Sequence, residues 1–273
     1  MTTISEAFRK LKNSDEGAYI PYICAGDPNI GFSLDLMKAL SDAGADIFEV
    51  GIPFSDPIAD GPVIQGAMQR SIKGGFRTSD LFELISGARA AGLNQPIVVM
   101  TYYNLIMQAG VAMFCTKLRE SGGNGVLVVD LLPEDSAELD AAADKNGLDI
   151  IRLIATGTSE KRVEMILSKA SGFAYVVSIS GTTGVRKEIP KAAFDTIGRI
   201  SGKSKIPLAL GFGISSPGDV RSAIKAGASA VVEGSKLVAI YSGILDDEKK
   251  ALEEVRKHSL EMKAASKRLV AKK

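Results

Sequence analysis

The fold is indicated most directly by the stretch Ala43-Gly44-Ala45-Asp46-Ile47-Phe48-Glu49-Val50. Its first residues end an amphipathic helical pattern, and Gly44 stands where a helix C-cap needs a left-handed residue. An apolar run that is typical of a buried strand begins almost at once. The stretch is therefore the junction of a helix and a strand, which is the repeating unit of an α/β protein.

The same junction recurs at Ala91-Gly92-Leu93, Asn146-Gly147-Leu148-Asp149 and Ala226-Gly227-Ala228-Ser229. Between these junctions, β-rich runs alternate with longer amphipathic segments. We predict eight strands, near Tyr19 to Cys24, Ile47 to Val50, Ile97 to Thr101, Gly125 to Val129, Ile150 to Ile154, Tyr175 to Ile179, Leu208 to Gly211 and Ala230 to Glu233. We predict helices between them near Ser33 to Ala43, Ser79 to Ala91, Val111 to Ser121, Glu134 to Asn146, Glu160 to Ala170, Ala192 to Ser201 and Ser216 to Ala226.

Eight strands with crossover helices predict an α/β fold in which a parallel sheet closes on itself, a (β/α)8 barrel of the TIM type. The capping-box spacing of Thr3 and Glu6 predicts an additional N-terminal helix, and Pro62 to Lys73 predicts an extra helix in a βα loop. No linker or shift in composition divides the chain. We therefore predict one domain over residues 1–273, with residues from about 266 to 273 frayed at the end of a solvated helix.

Composition disfavours several classes of function. The 33 basic and 32 acidic residues leave a net charge of +1, too little to attract nucleic acid or an anionic membrane. The cysteines, Cys24 and Cys115, and the single histidine, His258, do not form a metal-binding pattern. Free cysteines, no signal or transit pattern and no apolar run of membrane-spanning length predict a cytoplasmic protein.

Carboxylates mark the stretch that continues from the first junction, Glu49-Val50-Gly51-Ile52-Pro53-Phe54-Ser55-Asp56-Pro57-Ile58-Ala59-Asp60-Gly61-Pro62. Burial of Glu49 in an apolar strand raises the pKa of its carboxyl and favours proton transfer near neutral pH. Asp56 and Asp60 follow on a loop whose Pro and Gly residues fix the backbone. Each residue also has a purely structural interpretation. An Asp next to a Pro is more often a turn residue, and Glu49 taken alone is compatible with a core acid in an ion pair.

Glycine-rich loops follow the last two predicted strands, where many barrels bind phosphate. Gly211-Phe212-Gly213-Ile214-Ser215 follows strand seven and Gly234-Ser235 follows strand eight, with Gly184 on the loop after strand six. Glycine allows backbone N–H groups to approach an anion closely. A lone Gly-x-Gly would indicate only a turn, but two such loops at strand ends predict a phosphorylated substrate.

The predicted strands limit the reaction. None carries a lysine for a Schiff base, and the single histidine lies at the far end of the chain, so no metal ligand set is expected. Acid and base catalysis by carboxylates remains, with Glu49 and Asp60 as the pair and the substrate as its own electron sink. Tyr175, in strand six, either assists or packs in the core.

The stretch from Glu49 to Gln65 resembles the signature of the tryptophan synthase alpha subunit family. The resemblance extends over nearly the whole chain, through Gly26-Asp27-Pro28, Thr101-Tyr102-Tyr103-Asn104, Ser180-Gly181-Thr182-Thr183-Gly184 and the glycine loops after strands seven and eight. It implies retro-aldol cleavage of indole-3-glycerol phosphate to indole and glyceraldehyde 3-phosphate.

The resemblance also implies roles for individual residues. Glu49 is the general acid and base, and Asp60 accepts a hydrogen bond from the indole N–H. Thr183 lies on a loop that closes over the substrate. Phosphate binders are Gly184, Gly213, Gly234 and Ser235, and the walls around the indole and glycerol moieties are Tyr22, Met100, Tyr102, Val129 and Tyr175.

The family implies neither a metal nor a cofactor in this chain. Pyridoxal phosphate belongs to a partner beta subunit, and two chains of each kind form a tetramer through which indole passes. Two alternatives stay open: another phosphate-binding barrel enzyme, which the position of Glu49 disfavours, and a subunit that only activates its partner, which the intact acids and phosphate loops disfavour.

Overall fold

Eight parallel strands pair in chain order, and the last strand pairs with the first to close a barrel. The computed structural model describes residues 1–177, 189–211 and 213–267. The strands are β1 (Ala18–Cys24), β2 (Phe48–Gly51), β3 (Ile97–Thr101), β4 (Gly125–Val128), β5 (Asp149–Ala155), β6 (Ala174–Val177), β7 (Leu208–Leu210) and β8 (Ala230–Glu233).

Helices surround the barrel and connect its strands. Those in the described residues are α1 (Ile4–Asn13), α2 (Ile30–Asp42), α3 (Pro62–Lys73), α4 (Thr78–Ala90), α5 (Tyr103–Ala109), α6 (Val111–Ser121), α7 (Ala137–Lys145), α8 (Glu160–Ser168), α9 (Lys191–Ser201), α10 (Pro217–Lys225), α11 (Ser235–Ser242) and α12 (Glu248–Ala265).

The predicted (β/α)8 barrel is confirmed, with strand bounds close to those predicted, except that the predicted end of strand six at Ile179 lies outside the described residues. The glycines after α2, α4, α7 and α10 have the left-handed backbone that the repeated junction requires, with φ of 89°, 86°, 61° and 107°. The capping box of Thr3 and Glu6 is present at the start of α1, and α3 has its predicted bounds. Local sequence therefore specifies most element boundaries. That residues 1–273 form one domain stays a prediction.

Several elements differ from the prediction. The sequence pattern missed α5 and α11, and α7 begins at Ala137 rather than Glu134, because the Ser136 hydroxyl donates to Pro133 O and ends a turn there. The last helix, α12, has the charged and exposed outer face that was predicted, and its apolar face packs against α2, α10 and α11. Ser266 is buried and its carbonyl accepts from Gly17 N at 2.8 Å, so the expected fraying does not begin at this residue. Residues 268–273 lie outside the described residues.

One end of the barrel is filled and the other remains open. Inward-facing apolar side chains pack in layers, and α1 covers the amino ends of the strands with Ile4, Phe8 and Leu11. Phe8 packs against Phe173 with ring centroids 5.9 Å apart. The loops at the carboxyl ends are thus the part of the barrel that can admit a ligand.

The only histidine, His258, packs on the outer side of β8. The Glu233 carboxylate is fully buried, and its Oε1 lies 2.6 Å from His258 Nε2 of α12. Its Oε2 accepts from the Tyr19 hydroxyl at 2.6 Å, and that hydroxyl lies 3.2 Å from Ser259 Oγ. This polar cluster joins β1, β8 and α12 where the barrel closes.

Candidate active site

A cavity of about 230 Å³ lies at the carboxyl ends of the strands. Side chains on a strand alternate between its two faces, so Tyr22, Glu49, Met100 and Tyr175 all point inward at this end. Loops after β2, β7 and β8 complete the walls. The lining includes these residues and also Ala59, Asp60, Ile64, Leu127, Val129, Leu153, Val177, Gly211, Gly213, Ile214, Ser215, Val232, Gly234, Ser235 and Lys236.

Glu49 is a nearly solvent-free carboxyl inside this cavity, with only 2% of its surface exposed. Burial, and next the nearby charge of Asp60, raises its pKa to about 8. Its Oε2 has no hydrogen-bond partner among the described residues. A carboxyl in this state is protonated at neutral pH and able to donate a proton to a bound molecule.

Asp60 stands opposite, at the end of the loop after β2, and is 1% exposed. Its Oδ2 accepts from the Tyr102 hydroxyl at 2.7 Å, and Gln65 Nε2 donates to its backbone oxygen at 2.8 Å. Burial, the larger effect, raises the pKa of Asp60 above its ordinary value, while the hydrogen bond from Tyr102 lowers it in part. The second effect favours an ionised Asp60 beside a neutral Glu49, which is the division of roles that acid and base catalysis needs.

The loop between β2 and Asp60 is held by the same tyrosine. Ala59 N donates to the Tyr102 hydroxyl at 3.0 Å, and the Phe54 ring stacks on the Tyr102 ring with centroids 4.9 Å apart. The family resemblance implied that Tyr102 walls the indole pocket, but Tyr102 is not among the residues that line the cavity, and its hydroxyl is bonded to Asp60. It supports the loop that presents Asp60.

The other end of the cavity has the features of an anion site. Gly213 has a φ of +75°, a left-handed backbone that suits glycine, and Gly234 and Ser235 form the N-terminus of α11. Helix N-termini attract anions through free N–H groups and the helix dipole. Lys236, in the first turn of α11, adds a positive charge to this end.

The predicted pocket residues are otherwise brought together. Tyr22, Met100, Val129 and Tyr175 line the cavity with both carboxylates, as do Gly213, Gly234 and Ser235. Tyr175 donates to Gly211 O at 3.3 Å, and a Cβ on Gly211 would lie 2.1 Å from that hydroxyl, so glycine is required for this approach. Thr183 and Gly184 lie outside the described residues.

The described part of the chain contains no group of three or more His, Cys, Asp and Glu side chains that is placed to hold a metal ion. Its helices also include none with the length and hydropathy of a membrane-spanning segment.

Comparison with protein families identifies the family to which a chain with this cavity belongs. Residues 8–267 match the family model described as tryptophan synthase alpha chain. The chain belongs to that family. Membership in the tryptophan synthase alpha chain family makes it a lyase of tryptophan biosynthesis, and the resemblance that the sequence motifs indicated is confirmed.

Individual members of the family are similar over nearly their whole length. The tryptophan synthase alpha chain of Methanosarcina barkeri is 42% identical over 97% of both chains, and that of Methanothermobacter thermautotrophicus is 39% identical over 96% of this chain and 95% of the relative. The crystal structure of tryptophan synthase subunit alpha from Legionella pneumophila superposes with a TM-score of 0.89, at 32% identity, over 97% of this chain and 98% of that one. A chain of the tryptophan synthase a2b2 complex from Pyrococcus furiosus is 40% identical, with a TM-score of 0.84, over 91% of this chain and 98% of that one.

Sequence reasoning missed part of this tryptophan synthase alpha-type site. Leu127 and Leu153 lie at inward positions of β4 and β5, and alternation along those strands would have found them. Lys236 follows Ser235 directly, so extending the glycine motif by one residue would have included it. The support that Tyr102 gives to Asp60 spans 42 positions and has no local signal.

Proposed function

We propose that the chain cleaves indole-3-glycerol phosphate to indole and glyceraldehyde 3-phosphate by acid and base catalysis. The observation that carries this proposal is the pairing of two buried carboxyls with opposed environments in one cavity. Burial raises the pKa of Glu49 to about 8 and keeps it neutral, and the hydrogen bond from Tyr102 favours the anion of Asp60 against the rise in pKa that burial causes. The anion-binding end formed by Gly213, Gly234 and Ser235 suits the phosphate of such a substrate.

In the proposed mechanism, Glu49 donates its proton to the indole carbon that bears the glycerol chain. The ring becomes cationic, and Asp60 accepts a hydrogen bond from the ring N–H and stabilises that charge. The hydroxyl on the adjacent glycerol carbon then loses its proton to Glu49 as the carbon-carbon bond breaks. The bonding electrons return to the ring, which releases indole and an aldehyde and restores the neutral Glu49 carboxyl.

The remaining cavity residues bind and orient the substrate. The apolar side chains of Met100, Leu127, Val129 and Leu153 suit a flat aromatic ring, and the Tyr22 ring adds to that surface. Tyr175 lies between these residues and Gly211, a place that suits the glycerol moiety. We assign phosphate binding to Gly213, Gly234 and Ser235 and, by family resemblance, to Gly184, with Thr183 on the closing loop.

This chemistry assigns no cofactor to the chain, since the indole ring itself accepts the electron pair. Pyridoxal phosphate is assigned to a beta subunit, with which we propose that the chain forms a tetramer of two alpha and two beta subunits. A structural neighbour from Pyrococcus furiosus is part of such an a2b2 complex. The buried free thiols of Cys24 and Cys115 suit a reducing compartment, so we also propose a cytoplasmic location.

Exposed apolar side chains indicate where the beta subunit would dock. Ile58 on the loop after β2, Met107 on α5, Met113 on α6 and Leu132 on the loop after β4 are each more than half exposed. All four belong to segments that follow three neighbouring strands at the open end of the barrel. An apolar surface beside the cavity mouth is what transfer of indole to a partner requires.

The test is indole release from indole-3-glycerol phosphate by the purified chain, alone and with a tryptophan synthase beta subunit. We expect slow release that increases strongly with the partner. A folded chain that releases no indole in either condition contradicts the lyase proposal. Activation of the beta subunit by such a chain would favour the activator alternative, whereas turnover of a different phosphorylated substrate would favour another barrel enzyme.

A further inference from the structure

A fully buried carboxylate outside the cavity joins three elements of the barrel. Asp27, on the loop after β1, accepts from Arg70 Nε at Oδ1, 2.8 Å away. Its Oδ2 accepts from Arg70 Nη2 and from the Tyr241 hydroxyl, each at 2.8 Å. Arg70 Nη2 also donates to Ser242 Oγ at 2.6 Å. These four residues are called the Asp27 cluster below.

The two helices of the Asp27 cluster both begin at the cavity. Helix α3 starts at Pro62, directly after the loop that carries Asp60, and Arg70 lies in its last turn. Helix α11 starts at Ser235 in the anion-binding end, and Tyr241 and Ser242 are its last residues. A helix is a stiff rod that rises about 1.5 Å per residue, so fixing its last turn also limits the movement of its first.

The first turn of α3 is in turn bonded to the catalytic loop. Gln65 Nε2 donates to the backbone oxygen of Asp60 at 2.8 Å. Helices α3 and α11 also pack against each other, and Ser71, next to Arg70, donates to Ala25 O at 2.6 Å. The far ends of both helices are thus held together by charge-assisted hydrogen bonds to the buried Asp27, although one third of the Arg70 side chain is exposed, and Ser71 joins α3 to the end of β1.

We propose that Asp27, Arg70 and Tyr241 are positioning residues, which hold the Asp60 end and the phosphate end of the cavity at the spacing that one substrate spans. This inference rests on the proposed function, since it takes indole and phosphate as the two end groups. When the cluster is intact, neither end has to be ordered by a ligand. When it is loosened, the first ligand orders the helices and the second binds to a site already in place, so binding becomes more cooperative.

Two conservative variants loosen the cluster without leaving Asp27 unpaired. Tyr241→Phe removes one hydrogen bond and keeps the ring, which packs against Phe32 with centroids 5.5 Å apart. Arg70→Lys keeps the charge and loses the two-pronged geometry of the guanidinium. The matched control is Tyr19→Phe, since Tyr19 is also fully buried and donates to a buried carboxylate, that of Glu233, outside the cluster.

The experiment is isothermal titration of the full chain with indole and with glycerol 3-phosphate, each alone and each in the presence of the other. The coupling factor is the ratio of the indole dissociation constants without and with glycerol 3-phosphate. We expect Tyr241→Phe to weaken each single ligand about fivefold and to raise the coupling factor by the same factor, about fivefold over wild type, because the cost of ordering the helices is paid only once. Tyr19→Phe should leave the coupling factor within about twofold of wild type.

Steady-state kinetics give a second readout. Tyr241→Phe should lower kcat/KM for indole-3-glycerol phosphate by about fivefold, because the transition state needs both ends in place at once. Equal coupling factors in wild type and in a folded Tyr241→Phe or Arg70→Lys chain would overturn the inference. A wild-type chain that binds neither indole nor glycerol 3-phosphate would overturn the proposed function, and the inference with it, so the two failures are distinguishable.

Discussion

The Tyr102 hydroxyl makes two hydrogen bonds to one loop, donating to Asp60 Oδ2 at 2.7 Å and accepting from Ala59 N at 3.0 Å. One side chain at the end of β3 thereby fixes both the backbone and the carboxylate of the loop after β2. The bond to Asp60 also favours the ionised form of that carboxylate, since a donor stabilises the anion. Tyr102 therefore acts on the chemistry through Asp60.

Tyr102→Phe is expected to raise the pKa of Asp60, because the hydrogen bond that lowers it is lost. The acidic limb of the kcat/KM profile should move to higher pH by about one unit, so kcat/KM at a pH below both limbs should fall by about tenfold. The matched control is Tyr103→Phe, whose hydroxyl makes no bond to Asp60. An unchanged acidic limb in Tyr102→Phe would contradict this role.

Glu49→Gln tests the proposed proton donor. The variant should fold and bind indole-3-glycerol phosphate, while the rate of indole formation in a single turnover falls by at least about 100-fold. Glu233→Gln is the comparison, because Glu233 is an equally buried acid that faces α12 and not the cavity. We expect Glu233→Gln to lower stability and to keep most of the single-turnover rate. Normal turnover by Glu49→Gln would sink the assigned role.

The raised pKa of Glu49, about 8, also predicts how activity depends on alkaline pH. Because the carboxyl must be protonated to donate, kcat/KM should be flat between the acidic limb set by Asp60 and about pH 8, and should fall about tenfold per unit above it. The profile is measured from pH 5 to 10 with the wild-type chain. An alkaline limb that begins far from pH 8 would show that another group controls protonation.

The same shift predicts a cost in stability. The folded-state pKa of Glu49 lies above the unfolded value of 4.5, so unfolding releases a proton between pH 4.5 and about 8. Stability should therefore fall as pH rises through this window, by roughly 3 kcal/mol at pH 7 from Glu49 alone. Glu49→Gln removes this dependence, and urea unfolding at pH 5, 7 and 8 should show its advantage over wild type growing with pH. A difference that does not change with pH would contradict the burial argument.

Docking of the beta subunit is tested at Ile58, whose side chain is 79% exposed beside the cavity mouth. Ile58→Asp should weaken binding of the beta subunit by at least about tenfold and reduce partner activation, because a charge is placed in an apolar interface. Leu260→Asp is the control, since Leu260 is an exposed apolar residue on α12, away from the open end. Equal partner affinity in both variants would move the interface elsewhere.

Most of the barrel was predictable because its signals are local. A left-handed glycine ends a helix just before a strand begins, and Gly44 and Gly227 show this with φ of 89° and 107°. Helix α11 was missed because Ser235–Ser242 is short and rich in apolar residues, with no clear helical spacing of polar and apolar positions. Helix α5 has only seven residues, too few for a periodic pattern to stand out.

The catalytic pair was predictable for a similar reason. A single carboxylate inside an apolar strand, as at Glu49, is rare enough to indicate chemistry. What supports the pair was not predictable, since Tyr102 reaches Asp60 across 42 positions and Tyr241 reaches Asp27 across 214. Such contacts depend on which helix faces which strand, and a single sequence holds no local record of that.

The closing seam between β1 and β8 has a consequence for how the protein folds. Tyr19 and Glu233 meet there although 214 positions separate them, and β1 can find its second neighbour only when β8 has formed. Bringing together segments so distant along the chain carries a large loop-closure entropy, and folds rich in such contacts fold slowly. The cavity draws its two ends from either side of this seam, Asp60 after β2 and Ser235 after β8. Ligand affinity should therefore emerge only in the last phase of refolding, which makes recovery of activity a direct reporter of barrel closure.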